Sequence, residues 1–239
     1  MKDKKDKIVK QLKAFLGERK AVVGISGGID SAVVAALCSE AVGHENVAGL
    51  SLPYGTQDCT DADTLAKQLG INYSTFNIKP AVDSIYTFRH SDFEKKVRGN
   101  VMARMRMVVL YSFSNEFNGI VVGTTNRSEA EIGYYTKYGD GAVDVEPIAS
   151  LWKREVYEMG KLLKVPESIM TKAPSANLWE GQTDEGEFGF TYDDIEKYFH
   201  ALQHGADPKL FIEPKSVDKI RALIKYNEHK KHLPPTFKT

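Results

Sequence analysis

The sequence predicts an α/β fold, a twisted parallel sheet with helices on both faces. Three observations carry that expectation. Short apolar runs recur at 21–25, 47–52, 71–78 and 119–124. Segments of helical character separate them. The loops after residues 25, 52 and 123 are unusually rich in Gly, Ser, Thr or charge. Strands that alternate with helices imply right-handed βαβ crossovers, and ligands of such sheets bind beyond the carboxyl ends of the strands.

Ile8, Val9, Leu12, Phe15 and Leu16 recur at helical spacing, so residues 3–17 read as an amphipathic helix. AVVGI (21–25) is a buried strand ending in Gly-rich turn chemistry, and a helix follows from about Ser31 to Ala41. VAGLSL (47–52) is the second strand, and residues 59–70 form a helix closed by Gly70. INYSTFNI (71–78) is the third, stopped by Pro80; residues 81–90 and 93–116 read as helices, and GIVVGT (119–124) as the fourth strand. Loops then alternate with helices near 152–164, 193–203 and 215–231, the last stopped by Pro234-Pro235. Residues 180–190, rich in Gly and acid, read as a loop that is mobile until ligand binds. No repeat, low-complexity segment or linker interrupts the chain, so one domain over 1–239 is expected.

Of the 239 residues, 42% are apolar and 10% aromatic, which excludes global disorder. Thirty-two basic and 32 acidic side chains cancel, which argues against gripping nucleic acid or membrane by bulk charge. The cancellation hides an asymmetry. Residues 1–20 and 209–239 each carry eight Lys/Arg against three Asp/Glu, so the middle is acidic. No apolar run approaches the ~20 residues of a membrane helix, and the Lys-rich start has no signal-peptide core. Cys38 and Cys59 form no CxxC pair. A soluble cytoplasmic protein is expected.

GISGGIDS (24–31) sits where the first strand turns into its helix, so backbone N–H groups can approach a phosphate there. A tight strand–helix turn is the plainer reading of such glycines. Walker A fails for want of Lys, and GxGxxG fails at Ser26. Gly24-Ile25-Ser26-Gly27-Gly28 does match the GxSxG elbow of a serine hydrolase, with Asp144 and His229 as nominal partners that no local context supports. The continuation Ile29-Asp30-Ser31 decides otherwise. SGGIDS (26–31) resembles the SGGxDS pyrophosphate loop of the ATP pyrophosphatases, which have an adenine-nucleotide alpha-hydrolase-like fold.

VRGNVMARMRM (97–107), VVGTTNRSE (121–129), YYTKYGDGAVDVEPI (134–148), KAPSANLWEGQTDE (172–185) and EHKKHLPP (228–235) stand in order behind that loop. Together they resemble the NH3-dependent NAD(+) synthetase family, and the resemblance covers essentially the whole chain. It implies ATP-dependent amidation of deamido-NAD by ammonia through an adenylate, yielding NAD, AMP and pyrophosphate. It places ATP on Gly24, Ile25, Ser26, Gly27, Gly28, Ile29, Asp30 and Ser31, with Gln57, Thr124, Lys153 and Ser175 also near it. Magnesium falls to Asp30 and Glu129, hard oxygen ligands facing a triphosphate. Deamido-NAD falls to Arg104, Lys137, Asp144, His229 and Lys230. Asp30 and Lys153 act on the phosphates, and Asp144 is the candidate acceptor of the ammonium proton. Set apart from the resemblance, Arg104 and Arg106 read as a solvated helix face and His229 as surface.

The family is homodimeric, with 93–116 and the terminal helices as the expected contact. The departures are specific. Ser51 stands where relatives often have Arg, Ser175 where Thr is usual, and Ala142 where Gly is common. Asn126-Arg127-Ser128 replaces Asp-His-Ala, so those three carry no assigned role. Both cysteines read as structural, which favours ammonia over glutamine as nitrogen donor. The alternative within the fold, a tRNA-modifying adenylase, predicts a basic face and often a cysteine pair, and neither is apparent.

Overall fold

The computed structural model describes residues 1–87, 94–179 and 181–237. The expected helices at 81–90 and 93–116 therefore run partly outside the described residues. In chain order the elements are α1 (Lys2–Leu16), β1 (Lys20–Gly24), α2 (Ile29–Val42), β2 (Val47–Ser51), α3 (Thr60–Leu69), β3 (Asn72–Thr75), α4 (Lys79–Thr87), α5 (Lys95–Glu116) and β4 (Gly119–Val122). Then come α6 (Arg127–Ile132), α7 (Lys153–Leu162), α8 (Glu167–Met170), α9 (Asp184–Phe188), α10 (Tyr192–Gln203) and α11 (Pro214–Asn227), with a 3₁₀ turn at Glu228–Lys230.

The sheet is parallel throughout, in the order β3-β2-β1-β4. β1 is central, and its Ala21, Val22 and Val23 are wholly buried because helices cover both faces. On one face, Ala21, Val23, Ile120 and Val122 pack with Ile8, Leu12, Leu37, Leu65, Val156 and Met159, from α1, α2, α3 and α7. On the other, Val22 and Leu50 pack with Ile78, Val82 and Met102, from the α4–α5 side. Two of the N-terminal lysines have structural work: Lys4 pairs with Glu155 of α7 and Lys5 with Glu40 of α2, fastening α1 down.

Edge strand β4 is extended by residues 144–145. Asp144 N donates to Val121 O (2.9 Å), Gly123 N donates to Val145 O (2.8 Å), and Val122 bridges Val145. A third cluster, built on Ile132, Phe188, Ile195, Val217 and Ile220, joins α6, α9, α10 and α11. Residues 183–189 differ from their expected loop. Thr183 caps α9 through Gly186 N, and Asp184 and Phe188 are buried. A five-residue helix is below the reach of periodicity, which needs at least two turns to declare itself.

Candidate active site

β1 ends at Gly24 and α2 begins at Ile29, with Gly28 as an N-cap that offers no side-chain acceptor. The turn is tied from within. Ser31 Oγ donates to Gly28 O (3.0 Å) and accepts from Ser26 N (3.2 Å), and Ser26 Oγ accepts from Gly28 N (3.2 Å). Gly27 has φ +77°, and a Cβ there would sit 3.2 Å from Asp61 Cβ, so this turn requires glycine. The product is a rigid cradle of N–H groups at the positive end of a 14-residue helix, suited to phosphate. Among the described residues no histidine or carboxylate hydrogen-bonds Ser26, so the hydrolase constellation is not built.

Asp30 projects from the first turn of α2 and Glu129 from the first turn of α6. Lys153, the first residue of α7 and only 3% exposed, lies between them. Its Nζ is 2.6 Å from Asp30 Oδ2 and 3.1 Å from Glu129 Oε1. Burial alone would lower the Lys153 pKa, but the two carboxylates outweigh it and hold it above the ordinary lysine value. Burial pushes Glu129 up to about 7, against the pull of Lys153. Asn126, which carried no expected role, binds both acids: its Nδ2 donates to Asp30 Oδ1 (2.8 Å) and its Oδ1 accepts from Glu129 N (3.1 Å). Glu129 Oε2 accepts from Asn126 N (3.2 Å) in return, closing a capping box. Ser128 Oγ in turn accepts from Lys153 N (3.0 Å).

A buried hydroxyl and a third acid back this group. Tyr192 Oη lies 3.0 Å from Glu129 Oε1 and 2.7 Å from Asp184 Oδ2. Burial raises the Asp184 pKa, and Tyr192 and Lys153 pull the other way. Glu146 lies against Gly123, where a Cβ would come 2.4 Å from its Oε2, and accepts from Thr125 N (3.1 Å). Burial pushes Glu146 up to about 8.

Asp30, Glu129, Lys153 and Asp184 open onto a cleft of about 1060 Å³ at the carboxyl ends of the strands, ample for a dinucleotide. Every residue the sequence nominated lines it except Asp144. Gly24 to Ser31, Gln57, Thr124, Glu129, Lys153 and Ser175 are there, as are Arg104, Lys137, His229 and Lys230. The cationic side is held by backbone carbonyls. Arg104 Nη2 donates to Lys137 O (3.1 Å), Lys137 Nζ to His229 O (2.5 Å), and Lys230 Nζ to Gly133 O (2.9 Å) and Tyr135 O (2.7 Å). Among the described residues no carboxylate lies within ion-pair distance of Arg104, Lys137 or Lys230. Asp140, exposed and accepting from Thr136 N (2.9 Å), also lines the cleft.

Asp144 stands apart from the cleft lining, and one expectation, that for Arg106, needs correction. Asp144 is exposed and lies along the free edge of β4. Its Oδ2 accepts from Val121 N on the β4 edge (2.8 Å) and its Oδ1 from Tyr111 Oη of α5 (3.0 Å). Arg106 is not part of a solvated face: it lines the cleft and is half-buried, and burial pushes its guanidinium down to about 10.

Magnesium fits the residues present. Two carboxylate oxygens, from Asp30 and Glu129, already converge on a single cationic point beside the phosphate cradle. One or two carboxylates completed by phosphate oxygens is the donor set this ion favours. No group of three or more His, Cys, Asp or Glu able to hold a metal by itself occurs among the described residues.

The NAD synthase family model matches residues 1–234. The chain is 45% identical to the NH(3)-dependent NAD(+) synthetase of Thermoplasma volcanium over 232 residues, 96% of this chain and 94% of that one. It is 45% identical to the enzyme of the same name from Pyrococcus horikoshii, covering 97% and 95% of the two chains. Among solved structures it is similar to an NMN synthetase from Francisella tularensis, with 36% identity, a TM-score of 0.89 and coverage of 100% and 98%. It is also similar to the NH3-dependent NAD synthetase of Campylobacter jejuni, with 28% identity, a TM-score of 0.83 and coverage of 99% and 98%. With motifs, fold and cleft in agreement, the chain belongs to the NAD synthase family.

Proposed function

We propose that this protein is an ATP-dependent ligase that amidates deamido-NAD with ammonia, releasing NAD, AMP and pyrophosphate. The observation that carries the reading is the convergence of Asp30, Glu129 and Lys153 at the N-terminus of α2. It occurs in a cleft whose opposite side carries Arg104, Lys137, His229 and Lys230. Two polyanions need two such sides.

The first step makes an oxygen–phosphorus bond from the nicotinate carboxylate to the α-phosphate of ATP and breaks the bond to pyrophosphate. Gly27, Gly28 and the N–H groups of the α2 first turn receive the leaving pyrophosphate, and Lys153 neutralises charge on it. Asp30 and Glu129 would hold a magnesium ion, which when bound would supply charge neutralisation at the same phosphates. In the second step ammonia attacks the activated carbonyl carbon and AMP leaves. A free carboxylate resists ammonia because its leaving group would be hydroxide; AMP is a far better one. The proton shed by the attacking nitrogen goes to a cleft carboxylate. Asp140, a carboxylate in the cleft lining, suits that task.

The cleft belongs to one unit spanning the chain, and we take that unit to form a homodimer through α5, where Val97 and Val108 are exposed. No helix among the described residues is long and apolar enough to cross a membrane. The likeness to the Francisella NMN synthetase favours a second reading of the acceptor, the mononucleotide of nicotinic acid, which shares the nicotinate end of deamido-NAD. Rates with the two acceptors, at saturating ATP, Mg2+ and ammonium, separate the readings. A kcat/KM at least tenfold higher for deamido-NAD is the expected result; the reverse ratio assigns the mononucleotide.

A further inference from the structure

The side of the cleft formed at the end of β2 holds a cation that the mechanism above does not use. Arg106 reaches in from α5, donating through Nε to Leu52 O (2.9 Å) and through Nη2 to Gln57 Oε1 (3.1 Å). Gln57 Oε1 also accepts from Tyr54 N (2.8 Å), and its Nε2 donates to Asn177 O (2.6 Å). One guanidinium therefore braces the loop after β2 and, through Gln57, the loop that carries Ser175. Among the described residues Arg106 has no carboxylate within ion-pair distance, and its Nη1 makes no hydrogen bond. Asp140, beyond ion-pair distance, is the carboxylate that acts on it; a half-buried charge with no closer counter-charge is costly, and a cleft that binds an acceptor-rich ligand is where such a group is retained.

Strand order says which part of the ligand it meets. Asp30, Glu129 and Lys153 stand at the junction of β1, β4 and α7, so the phosphates and their cation lie on the β4 side of β1. β2 lies on the other side of β1. Ile25 N donates to Leu50 O (2.8 Å), so Leu52, two residues farther along, ends beside the glycine loop about one strand spacing away. A nucleotide with its phosphates on Ser26 to Ser31 must extend its other end over β2. That side is also where Ser51 occupies the place of an expected arginine, and Arg106 brings a guanidinium to the same loop from a different element.

We infer that Arg106 is the residue that binds and positions the adenosine half of ATP, offering its remaining N–H groups to acceptor nitrogens of the base and ribose oxygens. The inference rests on ATP being the nucleotide of this cleft. Arg106→Met, Arg106→Lys and the double variant Arg106→Met with Ser51→Arg test it. AMP and pyrophosphate serve as separate probes in titration calorimetry with Mg2+, alongside melting temperatures. The expected result for Arg106→Met is at least a tenfold loss of AMP affinity, with pyrophosphate affinity within twofold of the parent. Arg106→Lys, which keeps the charge but not the fork, should recover part of it, and Ser51→Arg should restore part of it in the double variant. AMP affinity unchanged in Arg106→Met overturns the inference, as does an equal loss of AMP and pyrophosphate affinity together with a lowered melting temperature. NAD formation by the unaltered protein is measured in parallel. If it is present, those outcomes sink the role of Arg106 alone; if it and nucleotide binding are both absent, the proposed function falls with it.

Discussion

Lys153 Nζ lies 2.6 Å from Asp30 Oδ2, and the same ammonium reaches Glu129 Oε1 at 3.1 Å. One buried cation thus holds together two acids from different helices, at the point where a nucleotide brings further negative charge. Removing either kind of partner has opposite chemical consequences.

Asp30→Ala and Glu129→Ala should each lower turnover by at least about a thousandfold. They touch the two carboxylates we assign to magnesium and leave the three apolar clusters alone. Circular dichroism should stay that of the parent. Near-normal activity in either variant would remove that carboxylate from the magnesium assignment.

Lys153→Met leaves two carboxylates facing each other without a cation. Breaking a buried pair in this way costs about 3–5 kcal/mol. Magnesium should recover much of that loss, because it can occupy the point the ammonium held. Melting curves with and without Mg2+ check this: the variant should gain more from the ion than the parent does. Equal gains would show that Asp30 and Glu129 do not bind it together.

Asn126→Ala removes a helix cap, worth about 0.5–2 kcal/mol, and a hydrogen bond to a charged carboxylate, worth about 1.5–3 kcal/mol. A stability loss of roughly 2–4 kcal/mol is expected in urea unfolding. It should come with a raised KM for Mg–ATP, because the orientation of Asp30 is lost. A stability change below about 0.5 kcal/mol would deny Asn126 its bridging role.

Glu146 carries the pH prediction. Burial raises its pKa in the folded state to about 8, from an ordinary glutamate value of 4.5. The folded protein therefore binds more protons than the unfolded chain between those limits. Stability from this residue is complete below about pH 4.5 and is lost as pH rises to about 8. Glu146→Gln keeps an acceptor for Thr125 N and cannot ionise. It should match the parent at pH 4 and exceed it at pH 8 by on the order of 2 kcal/mol, discounted for the partial exposure of the carboxylate. Parallel stability curves for the two proteins across that range would contradict the assignment.

Much of this site was legible before any coordinates. SGGIDS fixed the cradle, because the turn at Gly27 and the hydroxyls of Ser26 and Ser31 have few substitutes. The ordered motifs brought Glu129, Lys153, Lys137 and the His229-Lys230 pair to one cleft. Asn126 was overlooked although its signal was present: Asn followed three residues later by Glu is the sequence form of a capping box. Arg106 was not legible. α5 shows no strong apolar stripe, so nothing in the local pattern separates a cleft-facing arginine from a solvated one. Asp144, assigned through the resemblance, lies outside this lining because the chain lays residues 144–145 against β4. The charge asymmetry resolves into local tasks, with Lys4 and Lys5 tying α1 to its neighbours and Lys230 bracing the cleft.

The central claim is a chemical coupling, and one measurement reads it most directly. Purified protein with ATP, Mg2+ and ammonium is assayed for AMP and pyrophosphate with and without deamido-NAD. The account predicts AMP, pyrophosphate and NAD in equal amounts, and only when deamido-NAD is present. AMP release that does not depend on deamido-NAD, or no AMP at all, would contradict it.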